Sequence, residues 1–266
     1  MKNTKLVGIL NITPDSFSDG GAFNESTSAA KQLNLMLAEK VDVIDIGAIS
    51  TRPNTTIPSL SEEKARFDAI LPAIAPILKN SNALVSIDSY NYETLSYLLD
   101  KLPIAWINDQ SGFKDKRIIK LAKDNNLKLV IMHHLTIPAD PSQIISPELD
   151  AVLEVKNWLL DKANFLISEG INRNQIILDP GIGFGKTADQ SWQLIRQAKS
   201  FNNLGFEVMY AHSRKSFLNS ITNKEFSQRD LETSILSAYL ANCGIDYLRV
   251  HNVESNLRAI KLQQLL

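Results

Sequence analysis

Cysteine is almost missing from this 266-residue chain, where Cys243 is the single example. One thiol excludes a disulfide framework and makes a reducing compartment the natural home. Net charge is scarce too: 28 basic residues against 29 acidic ones leave -1. There is therefore no general pull toward nucleic acid or an anionic membrane, and any anion site must be local. Long apolar runs are also absent. Behind Lys2 and Lys5 stand only about five apolar residues, too few for a signal-peptide core or a membrane span. The expectation is a soluble cytosolic protein with neither nucleic-acid nor membrane partners. A covalent nucleophile is lacking as well. No Ser-His-Asp order and no metal-ligand spacing such as His-Glu-x-x-His occurs, and Cys243 lies in an apolar helical stretch, Leu240 to Cys243. A reaction run by positioning and charge stabilisation is favoured.

What is present is repetition of one pattern. With 44% apolar residues, the chain can bury one large core. Eight short apolar runs recur, at Leu6 to Leu10, Val41 to Ile46, Ala83 to Ile87, Ile104 to Ile107, Leu127 to Met132, Gln175 to Leu178, Phe206 to Tyr210 and Ile245 to Val250. Continuous apolarity is what strands covered on both faces require. Helical patterns lie between them. One reads from a Ser146 cap, with Pro147 first and a stripe of Leu149, Val152, Leu153, Leu159, Leu160, Ala163, Leu166 and Ile167, to Gly170. Another starts at Ser61 with Glu62 and Glu63 in its first turn, and Pro72 and Pro76 disturb its later part. Eight alternations predict a (β/α)8 barrel in one domain, residues 1–266, with an open doubly wound sheet as the alternative.

In such a barrel the chemistry gathers where the strands end. Here those ends are Asn11, Asp45, Asp88, Asn108-Asp109, His133-His134, Asp179, His212-Ser213 and His251, with Arg249 just before the last. Any one strand could simply turn polar at its loop. Asp45 and Arg249, however, stand inside otherwise apolar runs, where a charge is costly unless paired. The set predicts a polar pocket on one rim. The first two loops, "NITPDSFSDGGAF" and "AISTRPNTTIPS", exceed the usual two to six residues and read as lids. Phe17, Phe23 and Arg52 in them argue against a merely solvated surface. The stretch "LDPGIGFGKT", Leu178 to Thr187, imitates a phosphate-binding loop, but Pro180 stands where a P-loop needs glycine, and Lys186 stands where a Rossmann fingerprint needs its third.

Together these segments resemble the dihydropteroate synthase family. "GILNITPDSFSDGG" (Gly8 to Gly21) and "LDPGIGFGKT" are long matches, and "STRP" (Ser50 to Pro53), "IND" (Ile107 to Asp109), "SRKSF" (Ser213 to Phe217) and "RVH" (Arg249 to His251) follow in the family's order, from Lys5 to the end. The resemblance implies a transferase of folate biosynthesis and a sulfonamide target. It would condense 6-hydroxymethyl-7,8-dihydropterin pyrophosphate with p-aminobenzoate. It implies that Asp88, Asn108, Met132, Asp179 and Lys215 hold the pterin, and that Asn11, Arg249 and His251 take the pyrophosphate, with Asn11 on Mg²⁺. Phe17, Thr51, Pro53, Phe184, Lys215 and Ser216 would surround the aminobenzoate, while Asp19 and Arg52 pair across the closing loops. The catalytic group is then Asp88, Asn108, Asp179, Lys215, Arg249 and His251, acting dissociatively, in a homodimer. Departures are Ala48, Ile49 and Asn54 in the second loop, Ala211 before His212, His134 after Met132-His133, and Asn252 after His251. These could tune affinity or sulfonamide response. Two rivals are a methyltetrahydrofolate-type pterin methyltransferase, which has no use for an Arg-His anion site, and an inactive pterin-binding paralogue.

Overall fold

The computed structural model describes residues 3–13, 21–49, 57–140 and 142–266, and for residues 21–25 the backbone alone. Among them eight strands alternate with eight helices. The strands are β1 (Lys5–Asn11), β2 (Val43–Gly47), β3 (Leu84–Asp88), β4 (Ile104–Asp109), β5 (Lys128–Met132), β6 (Ile176–Asp179), β7 (Glu207–Tyr210) and β8 (Tyr247–Val250). All neighbours are parallel, and β8 pairs back onto β1 with Lys5 opposite Tyr247 and Gly8 opposite Val250. The sheet is a closed (β/α)8 barrel, so the open doubly wound alternative is excluded.

Side-chain alternation along each strand sorts these apolar runs into two cores. One set, including Ile44, Ile46, Val85, Ile87, Leu129, Ile131, Leu178, Val208 and Leu248, packs in the large cluster under the helices. The other parity fills the barrel, where Val7, Val43, Trp106, Val130, Ile177, Met209 and Tyr247 form a separate buried cluster. Two residues further along the same inward face come Asp45, Asn108, Met132, Asp179 and Arg249. The filler layer thus sets the floor on which the polar rim stands.

The helices are α1 (Gly21–Ala38), α2 (Leu60–Lys79), α3 (Tyr92–Leu99), α4 (Lys116–Asp124), α5 (Ala151–Ser168), α6 (Ala188–Arg196), α7 (Asp230–Asn242) and α8 (Val253–Gln264). Helix α2 starts one residue earlier than expected, because Ser59 forms a capping box with Glu62. It also runs through both prolines. Pro72 and Pro76 sit on the exposed face, opposite the buried Phe67, Ile70, Leu71, Ile74 and Leu78, so the carbonyls they leave unbonded can turn to water. Helix α5 begins later than Ser146, since Asp150 caps it by accepting from Val152 N at 2.9 Å and Leu153 N at 3.1 Å. Its buried stripe is Val152, Val155, Leu159, Ala163 and Leu166. Leu149 therefore precedes the helix and is 50% exposed, and Leu153 is rotated off the stripe. Helix α1 already includes Phe23, which shortens the first loop, and Cys243 is the C-cap of α7 rather than an interior residue.

Candidate active site

The end of β8 supplies the centre of the rim. Arg249 donates through Nε to Asp45 Oδ2 at 2.6 Å and through Nη2 to Asp88 Oδ2 at 2.8 Å. Asp45 Oδ2 also accepts from Asn108 Nδ2 at 3.0 Å. The two charges that the sequence strands inside apolar runs are therefore each other's partners, which is how burial becomes tolerable. Asp88 has a second partner, since Gln110 Nε2 lies 2.8 Å from Oδ1 and 3.0 Å from Oδ2. Burial nevertheless pushes Asp88 up to about 7, against the pull of Arg249. Burial works to lower Arg249, but Asp45 and Asp88 outweigh it and raise it.

Across the barrel, β6 ends on Asp179, whose Oδ1 accepts from Gly181 N at 2.8 Å. Burial raises its pKa, and Lys215 opposes that. Gly181 has φ +64°, and a Cβ there would come 1.9 Å from His133 O. Only glycine allows this turn. Lys215, brought in by the loop after β7, donates to Ile182 O and lies 4.7 Å from the centre of the Phe184 ring. Burial lowers Lys215 to about 8, with Asp179 opposing. Ser216 opens a 3-10 turn, Ser216–Ser220. His251 has Nδ1 2.9 Å from Ser213 Oγ, which in turn accepts from His251 N at 3.2 Å, and its ring meets Phe226 edge-on.

The structure thus brings Asp88 and Arg249 into one hydrogen-bonded group, and sets Lys215 against the Phe184 ring with its charge acting on Asp179. Met132 is buried at the end of β5, opposite Asp179 in register. Asn11 ends β1, half-buried beside Gly47. Phe17, Asp19, Thr51, Arg52 and Pro53 lie outside the described residues, as does Asn54. Ile49 and Ala211 are buried, and the second loop leaves β2 at Ala48, whose carbonyl accepts from Arg66 Nη1 at 2.6 Å.

Sequence reasoning assigned no role to three residues that the structure ties to this rim and its loops. Asp45 was visible as a misplaced charge, but its role needed Arg249 beside it. Gln110 lies one residue past β4, and only its bonds to Asp88 place it on the rim. Lys186 looked like a phosphate-binding lysine, and its ammonium points inward instead.

Residues 7–251 match the pterin binding enzyme family. The chain belongs to that family. It is 36% identical over 261 residues to a dihydropteroate synthase of Staphylococcus haemolyticus, covering 97% of this chain and 93% of that one. It is 37% identical over 262 residues to a folate synthesis bifunctional protein of Chlamydia muridarum, covering 97% of this chain. The match spans 58% of that bifunctional relative's length. In three dimensions it superposes on the dihydropteroate synthase of Anaplasma phagocytophilum, solved with bound 6-hydroxymethylpterin-monophosphate, with a TM-score of 0.88 and 36% identity over 98% of each chain. Asp88, Asn108 and Asp179 are buried at the ends of β3, β4 and β6 of this barrel.

Proposed function

We propose that this pterin-binding barrel is a dihydropteroate synthase, joining 6-hydroxymethyl-7,8-dihydropterin pyrophosphate to p-aminobenzoate with release of pyrophosphate. The observation that carries the reading is the juxtaposition of buried carboxylates and Asn108 with Arg249 on one rim. A pterin offers adjacent N–H donors and a carbonyl. Asp179 and Asn108 complement that edge as acceptor and amide, and Lys215 supplies a cation to the acceptor side. The pyrophosphate end requires positive charge, which Arg249 would supply with His251 beside it at the end of β8.

Chemistry then follows in a dissociative order. The bond from the pterin methylene carbon to the pyrophosphate oxygen breaks, both electrons leave with pyrophosphate, and the ring system shares the resulting positive charge. Asp88 stands near that charge as a carboxylate. The neutral arylamine nitrogen next donates its pair to the carbon and releases one proton. Phe184 frames the aminobenzoate ring, and Ser216 receives its carboxylate together with Lys215.

A divalent cation fits this donor set in a particular way. Among the described residues no cluster of three acidic, His or Cys ligands occurs, and Asn11 offers a single neutral oxygen. That suits Mg²⁺, which keeps much of its water and is commonly shared with substrate phosphates. Mg²⁺ would neutralise charge on the departing pyrophosphate, and Asn11, at the end of β1, would help to hold it.

The reading extends to cell location and assembly. Among the described residues no helix is long and apolar enough to cross a membrane, and Cys243 is a free thiol, in keeping with the cytosol. Helix α7 presents Leu231, Ile235 and Tyr239 to solvent at four-residue spacing, with Leu262 of α8 also exposed. Such a stripe suits a homodimer. The α7 sequence hides it, because the helix also has a buried face of small and apolar residues, Ser237, Leu240 and Ala241.

The test of function is pyrophosphate release from the dihydropterin pyrophosphate with Mg²⁺, with and without p-aminobenzoate, and the pterin product identified by mass. Dihydropteroate formed with matching release supports the synthase. Slow release without aminobenzoate supports the dissociative order, and pterin binding without any turnover counts against the assignment.

A further inference from the structure

Lys186 follows the glycines of "GIGFGKT", but no part of the proposed reaction uses it. Its Nζ lies 2.9 Å from Gly181 O, 2.7 Å from Phe184 O and 2.8 Å from His133 Nδ1. An ammonium has three N–H donors, and here it finds three acceptors. His133 can serve as one because burial, with the Lys186 charge, pulls it down to about 2 and keeps the ring neutral. The ring is further fixed edge-on to Trp158 of α5, with centroids 5.1 Å apart. Burial also pulls Lys186 well below the ordinary lysine range, with the Lys215 charge adding to this and Asp179 opposing it.

The two carbonyls that Lys186 grips mark the two ends of the turn that presents Phe184. Phe184 N donates to Gly181 O at 3.0 Å, closing that turn. Gly181, Gly183 and Gly185 all have positive φ, at +64°, +81° and +63°. A loop with so many glycines has many other conformations open to it, and something must select this one. Lys215 grips the same loop at a different carbonyl, Ile182 O, from the substrate-binding group itself. Lys186 is the brace that does not face substrate.

We infer that Lys186 is a positioning residue for the second substrate: by tying Gly181 O and Phe184 O to His133 it holds the Phe184 ring where an arylamine binds. The substrate half of this inference rests on the synthase reading above. The brace itself does not.

Three variants separate the parts. Lys186→Met removes all three donors with little change of volume. His133→Leu removes one acceptor, whereas His133→Asn keeps an oxygen near the place of Nδ1. In Lys186→Met the KM for p-aminobenzoate is expected to rise at least tenfold, while the affinity for 6-hydroxymethylpterin-monophosphate stays within twofold and the Phe184 amide exchanges hydrogen faster. His133→Leu follows in the same direction, and His133→Asn stays near the parent. An unchanged KM for p-aminobenzoate overturns the inference. So does a loss of pterin affinity in step with it, which is the mark of general structural damage. Should Lys186→Met fail to fold, the His133 pair decides by the same readouts. If the parent protein makes no dihydropteroate, the synthase reading fails by itself. Phe184 amide exchange then judges the brace alone, and an unaltered rate in the variants overturns it.

Discussion

Arg249 and Asp45 stand 204 residues apart in the chain and 2.6 Å apart in the barrel. Closure of β8 onto β1 brings them together, with β1 between their strands. Asp45 is 1% exposed in its side chain and Arg249 15%, so each charge depends on the other for solvation.

Asp45→Asn therefore tests whether the guanidinium is held for function. Leaving Arg249 with one carboxylate partner is expected to cost about 3 kcal/mol of stability, read as a shift in the urea midpoint. Misplacing the guanidinium is expected to lower kcat/KM by about a hundredfold. A variant with parental kinetics would show that Arg249 needs only Asp88.

The pH dependence has two opposed windows. Asp88 titrates near 7 in the fold against an ordinary 3.8, so the folded state binds the extra proton between these values and stability falls as pH rises through about 4 to 7. Lys215 titrates near 8 against an ordinary 10.5, so the folded state loses its proton first and stability rises from about 8 to 10.5. If the reaction needs an ionised Asp88 and a charged Lys215, kcat/KM should peak between these two values. Gln110→Leu removes two short hydrogen bonds to Asp88 and should shift the acid limb upward. A profile flat from about pH 6 to 9 would separate both groups from catalysis.

Ser213 contacts the imidazole that the proposed reaction sets against the leaving group. Ser213→Ala removes the contact to His251 Nδ1, a loss of about 1 kcal/mol, or roughly fivefold, in pyrophosphate affinity. Calorimetric titration with pyrophosphate and Mg²⁺ measures it. Equal affinity in the variant would mean that the Ser213 contact is not what orients the ring.

The exposed stripe on α7 makes an independent prediction. Leu231 and Ile235 are each 60% exposed, so replacing both with Glu leaves the barrel core untouched. Sedimentation should show the parent as a dimer and this double variant as a monomer. A monomeric parent removes the homodimer from the proposal.

The site was legible in part, and for identifiable reasons. Asp88, Asn108 and Asp179 could be placed on the rim because each follows an apolar run, and Arg249 because a charge inside such a run must find a buried partner. Gln110 was missed since it lies past its strand, where parity no longer says which way a side chain turns. The start of α5 was misplaced because Ser146-Pro147 and Asp150 are competing start signals four residues apart. Asp150 wins by taking two backbone N–H groups, while Ser146 O accepts only the turn bond from Leu149 N. Prolines in α2 looked disruptive because a linear pattern does not weigh the solvent face on which both sit.

By itself the sequence determined the eight strands and the alternation that sends one set of side chains inward, since these depend on residues within a few positions of one another. Tertiary structure alone decided which inward charge meets which. Arg249 chooses Asp45 and Asp88, and Lys186 turns from solvent toward His133. Those choices arise when a closed barrel removes water from groups far apart in the chain, and each buried donor must then bond whatever acceptor closure has placed within reach.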